Sequence, residues 1–99
     1  MGTVTKLFGT DPSPQHEAEA LVRLNEIYQR QKSENRLTQK KLAGLMGMKE
    51  QSAVSQYLLG KVPLNSMAVL NFAQAMNVSP LKIYPELMEP IEKLFATKD

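Results

Sequence analysis

Cysteine is absent from this chain, and so is tryptophan. Without cysteine there is no disulfide framework, no thiolate nucleophile and no thiolate metal site, and a cytoplasmic protein is the simplest expectation. With no tryptophan and only 6% aromatic residues, a core must be built mainly from aliphatic side chains. No apolar run approaches the roughly 18 residues that a membrane helix needs. The first residues also lack the basic segment and apolar stretch of a secretory signal. Catalytic signatures are equally scarce. His16 stands alone, without the acids or second histidine of a metal site, and reads as a surface residue. No Ser-His-acid set is apparent, and Gly44 with Gly47 is too sparse for a phosphate loop. Strand-like alternation and internal repeats are missing too.

What remains is 99 residues with 42% hydrophobic content, enough for one small domain with a core. Net charge is +2, unevenly distributed. Residues 21–61 carry eight Lys or Arg against three Glu, a balance of +5, whereas residues 1–20 stand at −2 and residues 62–99 at −1. A basic middle attracts phosphates in a salt-sensitive way, although a plain solvated basic surface has the same composition.

Residues 1–14 are rich in Thr, Gly and Pro and read as a flexible arm or a leader. Ser13-Pro14 has the cap-then-proline form of a helix start. Leu21, Leu24, Ile27 and Tyr28 repeat at three and four, which predicts an amphipathic helix to about Ser33. Thr38 is suited to cap a second helix over 38–46, with Leu42, Ala43, Leu45 and Met46 as apolar positions and Gly47 at its end. A third helix is expected from about 50 to 59, burying Ala53, Val54, Tyr57 and Leu58 and closed by Gly60. Asn65 or Ser66 caps a fourth, to about Met76, with Met67, Leu70, Phe72 and Ala73 apolar. Ser79-Pro80 starts one short turn, and a last helix is expected to begin between Pro85 and Pro90. The fold class is all-α, with five helices. The six methionines read as core filler.

The outer face of the third helix carries Gln51, Ser52, Ser55 and Gln56. Ordinary solvated faces favour Lys and Glu, which are more strongly hydrated. Amides and hydroxyls suit hydrogen bonding to base edges in a DNA groove. Four exposed polar residues on a mediocre helix are the plainer alternative.

At Gln39, Ala43, Gly47 and the Gln51-Ser52 pair, the sequence resembles the DNA-binding domains of the lambda-repressor-like (Cro/C1-type) helix-turn-helix family. Ile27-Tyr28, Met46-Gly47-Met48, Leu64-Asn65 and Val78-Ser79 extend the likeness to residues 18–96. It implies an arm at 1–14, a DNA-binding domain over 15–97, its helix-turn-helix at 38–59 and a dimerisation helix at 88–96. By the same resemblance Gln51 and Ser52 read bases, joined by Ser55 and Gln56 one turn on. Gln39, Tyr28, Lys32, Lys49, Lys61 and Asn65 then lie near phosphates, with a helix cap as the simpler role of Asn65 and a half-buried ring as that of Tyr28. Ile91, Leu94 and Phe95 match the pairing surface of a homodimer, or else fold back on the core.

The implied function is a phage or prophage transcriptional repressor on a pseudo-palindromic double-stranded DNA operator, without cofactor or catalytic activity. Departures from the family pattern are specific. Lys49-Glu50 occupies the space of one residue, Gln56 replaces a small apolar residue, and Leu59 and Val62 stand where polar DNA contacts are usual. Leu59 is expected to be packed or to make apolar contacts. Lys6 is the single basic residue of the arm. Ala96 to Asp99 fall where a linker could begin, so the chain is either a complete Cro-like protein or, preferably, the N-terminal part of a longer repressor. A protein-interaction module that keeps the fold without specific DNA binding is the competing reading.

Overall fold

A computed structural model describes residues 13–96, with side chains through Leu94. The expectations for the arm, Lys6 and the Phe95 side chain lie outside the described residues. Among the described residues five α-helices follow one another: α1 Pro14–Asn35, α2 Gln39–Leu45, α3 Gln51–Leu58, α4 Ser66–Met76 and α5 Pro85–Ala96, with a 3₁₀ turn at Pro80–Lys82 before the last. Among the described residues there is no strand. No described helix is long and apolar enough to cross a membrane.

The helix starts follow their caps. Ser13 Oγ accepts from the His16 amide at 3.2 Å, and the Ser13 amide donates to His16 Nδ1 at 3.3 Å. His16 thus closes a capping box, a role its isolation in sequence concealed, and Pro14 is already helical. Thr38 Oγ1 accepts from the Lys41 amide at 3.1 Å, and Asn65 Oδ1 from the Ala68 amide at 2.8 Å. Ser79 caps the 3₁₀ turn through the Leu81 amide at 3.2 Å. α1 runs to Asn35, beyond the expected Ser33, and stops where Arg36 turns left-handed at φ 58°.

Leu24, Leu42, Val54, Val69, Phe72, Ile83 and Met88 are fully buried and join all five helices in one core. Each such side chain contributes about 1.5–3 kcal/mol by leaving water. The core is aliphatic apart from Phe72 and the buried rings of Tyr28 and Tyr84. Three apolar expectations are corrected. Leu45, Met67 and Leu70 are exposed, and the inner face of α4 is Ala68, Val69, Phe72, Ala73 and Met76 instead. Met67, at 70% exposed, is therefore not core filler.

α1 is also a polar scaffold. Its side chains supply partners to backbone groups that other elements leave free at their ends. Asn25 Nδ2 donates to the Leu58 carbonyl of α3 at 3.0 Å, and Gln31 Nε2 to the Met76 carbonyl of α4 at 2.8 Å. Glu17 Oε2 accepts from the Leu64 amide at 3.2 Å, and Arg23 Nη1 donates to the Ile83 carbonyl at 3.3 Å. Arg23 Nη1 also lies 3.9 Å from Glu86 Oε1 of α5.

The last helix begins at Pro85, not between the two prolines, so the expected 88–96 element is extended at its start. The Tyr84 carbonyl accepts from the Leu87 and Met88 amides at 3.2 and 3.0 Å, which puts Pro85 at the first helical position, where no N–H is needed. Pro90 lies inside α5 and offers no N–H to the Glu86 carbonyl. Burial of Met88 and packing of Leu87 and Ile91 against the core hold the helix across it. The Tyr84 phenol is pushed above its usual range by burial, reinforced by the nearby carboxylates of Glu17 and Glu86.

Candidate nucleic-acid interface

α2 and α3 are short helices joined by a tight turn over residues 46–50. At the end of α2 the Gly47 amide donates to the Gly44 carbonyl at 3.1 Å and the Met48 amide to Ala43 at 2.8 Å. These paired bonds need a left-handed residue between them, and Gly47 provides it at φ 75°. α3 ends the same way: Gly60, at φ 78°, donates to the Tyr57 carbonyl at 3.0 Å, and the Lys61 amide to Gln56 at 2.9 Å. Ala43 is buried on α2, where a larger side chain would push against its neighbours.

The inner side of α3 determines how its outer side is aimed. Val54 and Leu58 are buried, and Ala53 and Tyr57 are half-buried. The Tyr57 ring meets Phe72 of α4 edge-on, with centroids 5.6 Å apart and planes at 83°. Asn25 holds the carboxyl end of α3 from α1. Packing, an aromatic contact and a hydrogen bond thus fix α3 along its length.

At about 100° per residue, Gln51, Ser55, Ser52 and Gln56 fall within an arc of about 140°, and Ala53, Tyr57, Val54 and Leu58 fill the arc opposite. Gln51, Ser52 and Gln56 are exposed and Ser55 is half-exposed. Ser52 Oγ donates to Glu50 Oε1 at 3.3 Å. The Gln51 and Gln56 amides and the Ser55 hydroxyl have no side-chain hydrogen-bond partner among the described residues. The face is uncharged, and apart from the Ser52 hydroxyl its side-chain donors and acceptors are available to a ligand. Glu50 precedes it in extended conformation without capping α3 through its side chain.

The residues expected near phosphates are not gathered at one point. Lys49 and Lys61 are exposed at the two ends of α3, and Lys32 is exposed in the last turn of α1. Gln39 is half-buried at the first position of α2, with no hydrogen bond to Gln51. Asn65 spends its side-chain oxygen on the cap of α4. Tyr28, expected near a phosphate with a half-buried ring as the alternative, is only 4% exposed and belongs to the core. Leu59 is 65% exposed and is not packed within the chain.

Ile91 and Leu94 of α5 do not share one environment. Ile91 packs against the core, while Leu94 is 51% exposed. Among the described residues, no group of three His, Asp or Glu side chains is placed to hold a metal ion.

Sequence reasoning missed the scaffold residues Glu17, Asn25 and Gln31. A signal was present: Glu17, Leu24 and Gln31 are spaced by seven and fall on the apolar stripe of α1. A polar residue in such a register must find a partner when buried. Compared with known proteins, the chain matches no family model, and no curated protein matches it at a significant level.

Proposed function

We propose that this chain is a sequence-specific DNA-binding transcriptional repressor of phage or prophage type, with a lambda-repressor-like fold in which α2 and α3 form the helix-turn-helix. The observation that carries the reading is the outer face of α3, uncharged and, but for the Ser52–Glu50 hydrogen bond, uncommitted, between the exposed Lys49 and Lys61. α3 lies in the major groove. Gln51 spans adenine N6 and N7 with its amide, a contact worth about 1–3 kcal/mol of discrimination, and Ser52, Ser55 and Gln56 read neighbouring base edges. Lys49, Lys61 and Lys32 neutralise phosphates, and Gln39 donates to one from the first turn of α2. Two copies pair through α5, with Leu94 in the contact, and half-sites lie about 34–36 Å apart or a multiple of it.

The test is titration of mixed duplex DNA at two salt concentrations, followed by selection of sites from random DNA. Binding that weakens with salt and converges on a two-fold symmetric site supports the reading, and absence of salt-dependent binding sinks it. Sedimentation of Leu94→Lys checks the pairing: loss of a dimer supports it, and an unchanged profile refutes the role of α5. One observation favours the second reading, an interaction module without specific DNA binding. Met67 and Leu70 are exposed on α4 and border an apolar groove with Val78 and Pro80. The uncharged polar face of α3 weighs against it, because protein interfaces favour aromatic and apolar anchors.

A further inference from the structure

Leu59 is an exposed apolar residue within the arc in which α3 presents its polar groups. It follows the last residue of α3, yet its backbone is still helical, with φ −84° and ψ −5°, and its amide donates to the Ser55 carbonyl at 2.9 Å. Its side chain therefore keeps the phase of the helix. Counting about 100° per residue from Gln51, Leu59 falls at about 80°, between Ser55 at about 40° and Ser52 at about 100°. Gln51, Ser55 and Leu59 thus form one stripe at intervals of four, about 12 Å long at 1.5 Å per residue. A leucine 65% exposed in such a place serves neither the core nor solvation.

We propose that Leu59 is a specificity-determining residue that contacts the C5-methyl group of a thymine in the major groove. The inference rests on the DNA-reading role of α3 proposed above. Of the four bases, thymine alone presents a methyl group in that groove, and apolar side chains recognise it by contact. The neighbouring amides and hydroxyls supply hydrogen bonds, which adenine, guanine and cytosine also satisfy. A branched apolar side chain among them discriminates in a different way, by rewarding a methyl and leaving a polar base edge without a partner. Leu59 also stands clear of the core, so its replacement tests recognition without disturbing the fold.

The experiment uses the full chain and its selected DNA site, with each thymine of one half-site replaced in turn by deoxyuridine, which lacks only the methyl. One replacement is expected to weaken wild-type binding about three- to fivefold, the scale of burying one methyl-sized group. Leu59→Ala should bind the unmodified site more weakly and be indifferent to that same replacement, whereas Leu59→Met should keep part of the sensitivity. Thermal melting of both variants should match the wild type. Wild-type binding that is insensitive to every deoxyuridine, or Leu59→Ala that stays as sensitive as wild type, overturns the assignment while leaving DNA recognition by α3 intact. Absence of binding to any duplex instead removes the underlying reading, and the assignment with it.

Discussion

The amide side chains of α1 and those of α3 have the same chemistry and opposite employment. Asn25 and Gln31 spend their NH₂ groups on the Leu58 and Met76 carbonyls, each at the carboxyl end of another helix. Gln51 and Gln56, on the outer face of α3, have no partner within the described chain. An amide aimed at a half-buried carbonyl is a structural part, since that carbonyl would otherwise lose its hydrogen bond to water without replacement. An amide aimed at solvent contributes little to folding. The difference separates the residues that hold the candidate interface from those exposed on it, and composition alone does not distinguish them.

The largest effect should come from removing the platform on which the comparison rests. Phe72 is fully buried and carries the edge of the Tyr57 ring, so Phe72→Ala is expected to cost about 3–5 kcal/mol of stability in urea melts. A loss under 1 kcal/mol would mean that α3 is not seated through this contact.

The comparison itself is tested by truncating one amide from each set. Gln31→Ala leaves the Met76 carbonyl without its donor and should destabilise by about 1–3 kcal/mol, with base preference unchanged. Gln51→Ala should leave stability within about 0.5 kcal/mol and relax preference at one base pair by about 1–3 kcal/mol. Equal destabilisation by the two substitutions would erase the distinction. An unchanged base preference in Gln51→Ala would show that this side chain does not read a base, the outcome expected if the lengthened turn at Lys49-Glu50, as judged from the family resemblance, aims it elsewhere.

The two regions also differ in how they respond to pH. The α1–α5 side contains the Tyr84 phenol, raised by burial and by Glu17 and Glu86, whereas Gln51, Ser52, Ser55 and Gln56 do not titrate. A raised phenol favours the folded state while it is neutral. Its contribution is fully present below the ordinary tyrosine range near pH 10 and is lost as pH rises through the folded-state value. Stability should therefore fall above about pH 10, and Tyr84→Phe should flatten that fall. Parallel pH profiles for the two proteins would remove Tyr84 as the cause.

Local chemistry was legible from sequence, and long-range pairing was not. Thr38, Gly47, Gly60, Asn65 and Ser79 act on neighbours a few residues away, so their types alone announced the caps and turns. The outward arc of α3 was likewise readable, because helical phase follows from residue spacing. Gln31 and Met76, by contrast, are 45 residues apart, and nothing near either one names the other. Leu45, Met67 and Leu70 misled because apolar type was taken for burial, although apolar atoms remain common at protein surfaces. Pro85 misled because the same residue that interrupts a helix also begins one. What no spacing rule could supply was whether an amide was already in use.

The smallest expected effect bears on the boundary between holding and reading. Glu50 occupies the cap position of α3 but makes no capping bond, and its carboxylate accepts from Ser52 Oγ instead. Glu50→Ser places a hydroxyl where a free first-turn amide can donate to it, a gain of a few tenths to about 1 kcal/mol. The substitution also frees Ser52 and removes a negative charge from the start of the helix. If this end of α3 faces DNA, affinity for all sequences should rise, because a carboxylate beside phosphates is repulsive. Greater stability with unchanged affinity would place Glu50 away from the duplex. Greater affinity without greater stability would mean that the cap geometry stays unused and that charge alone acts there. Either result moves Glu50 to one side of the division that Gln31 and Gln51 define.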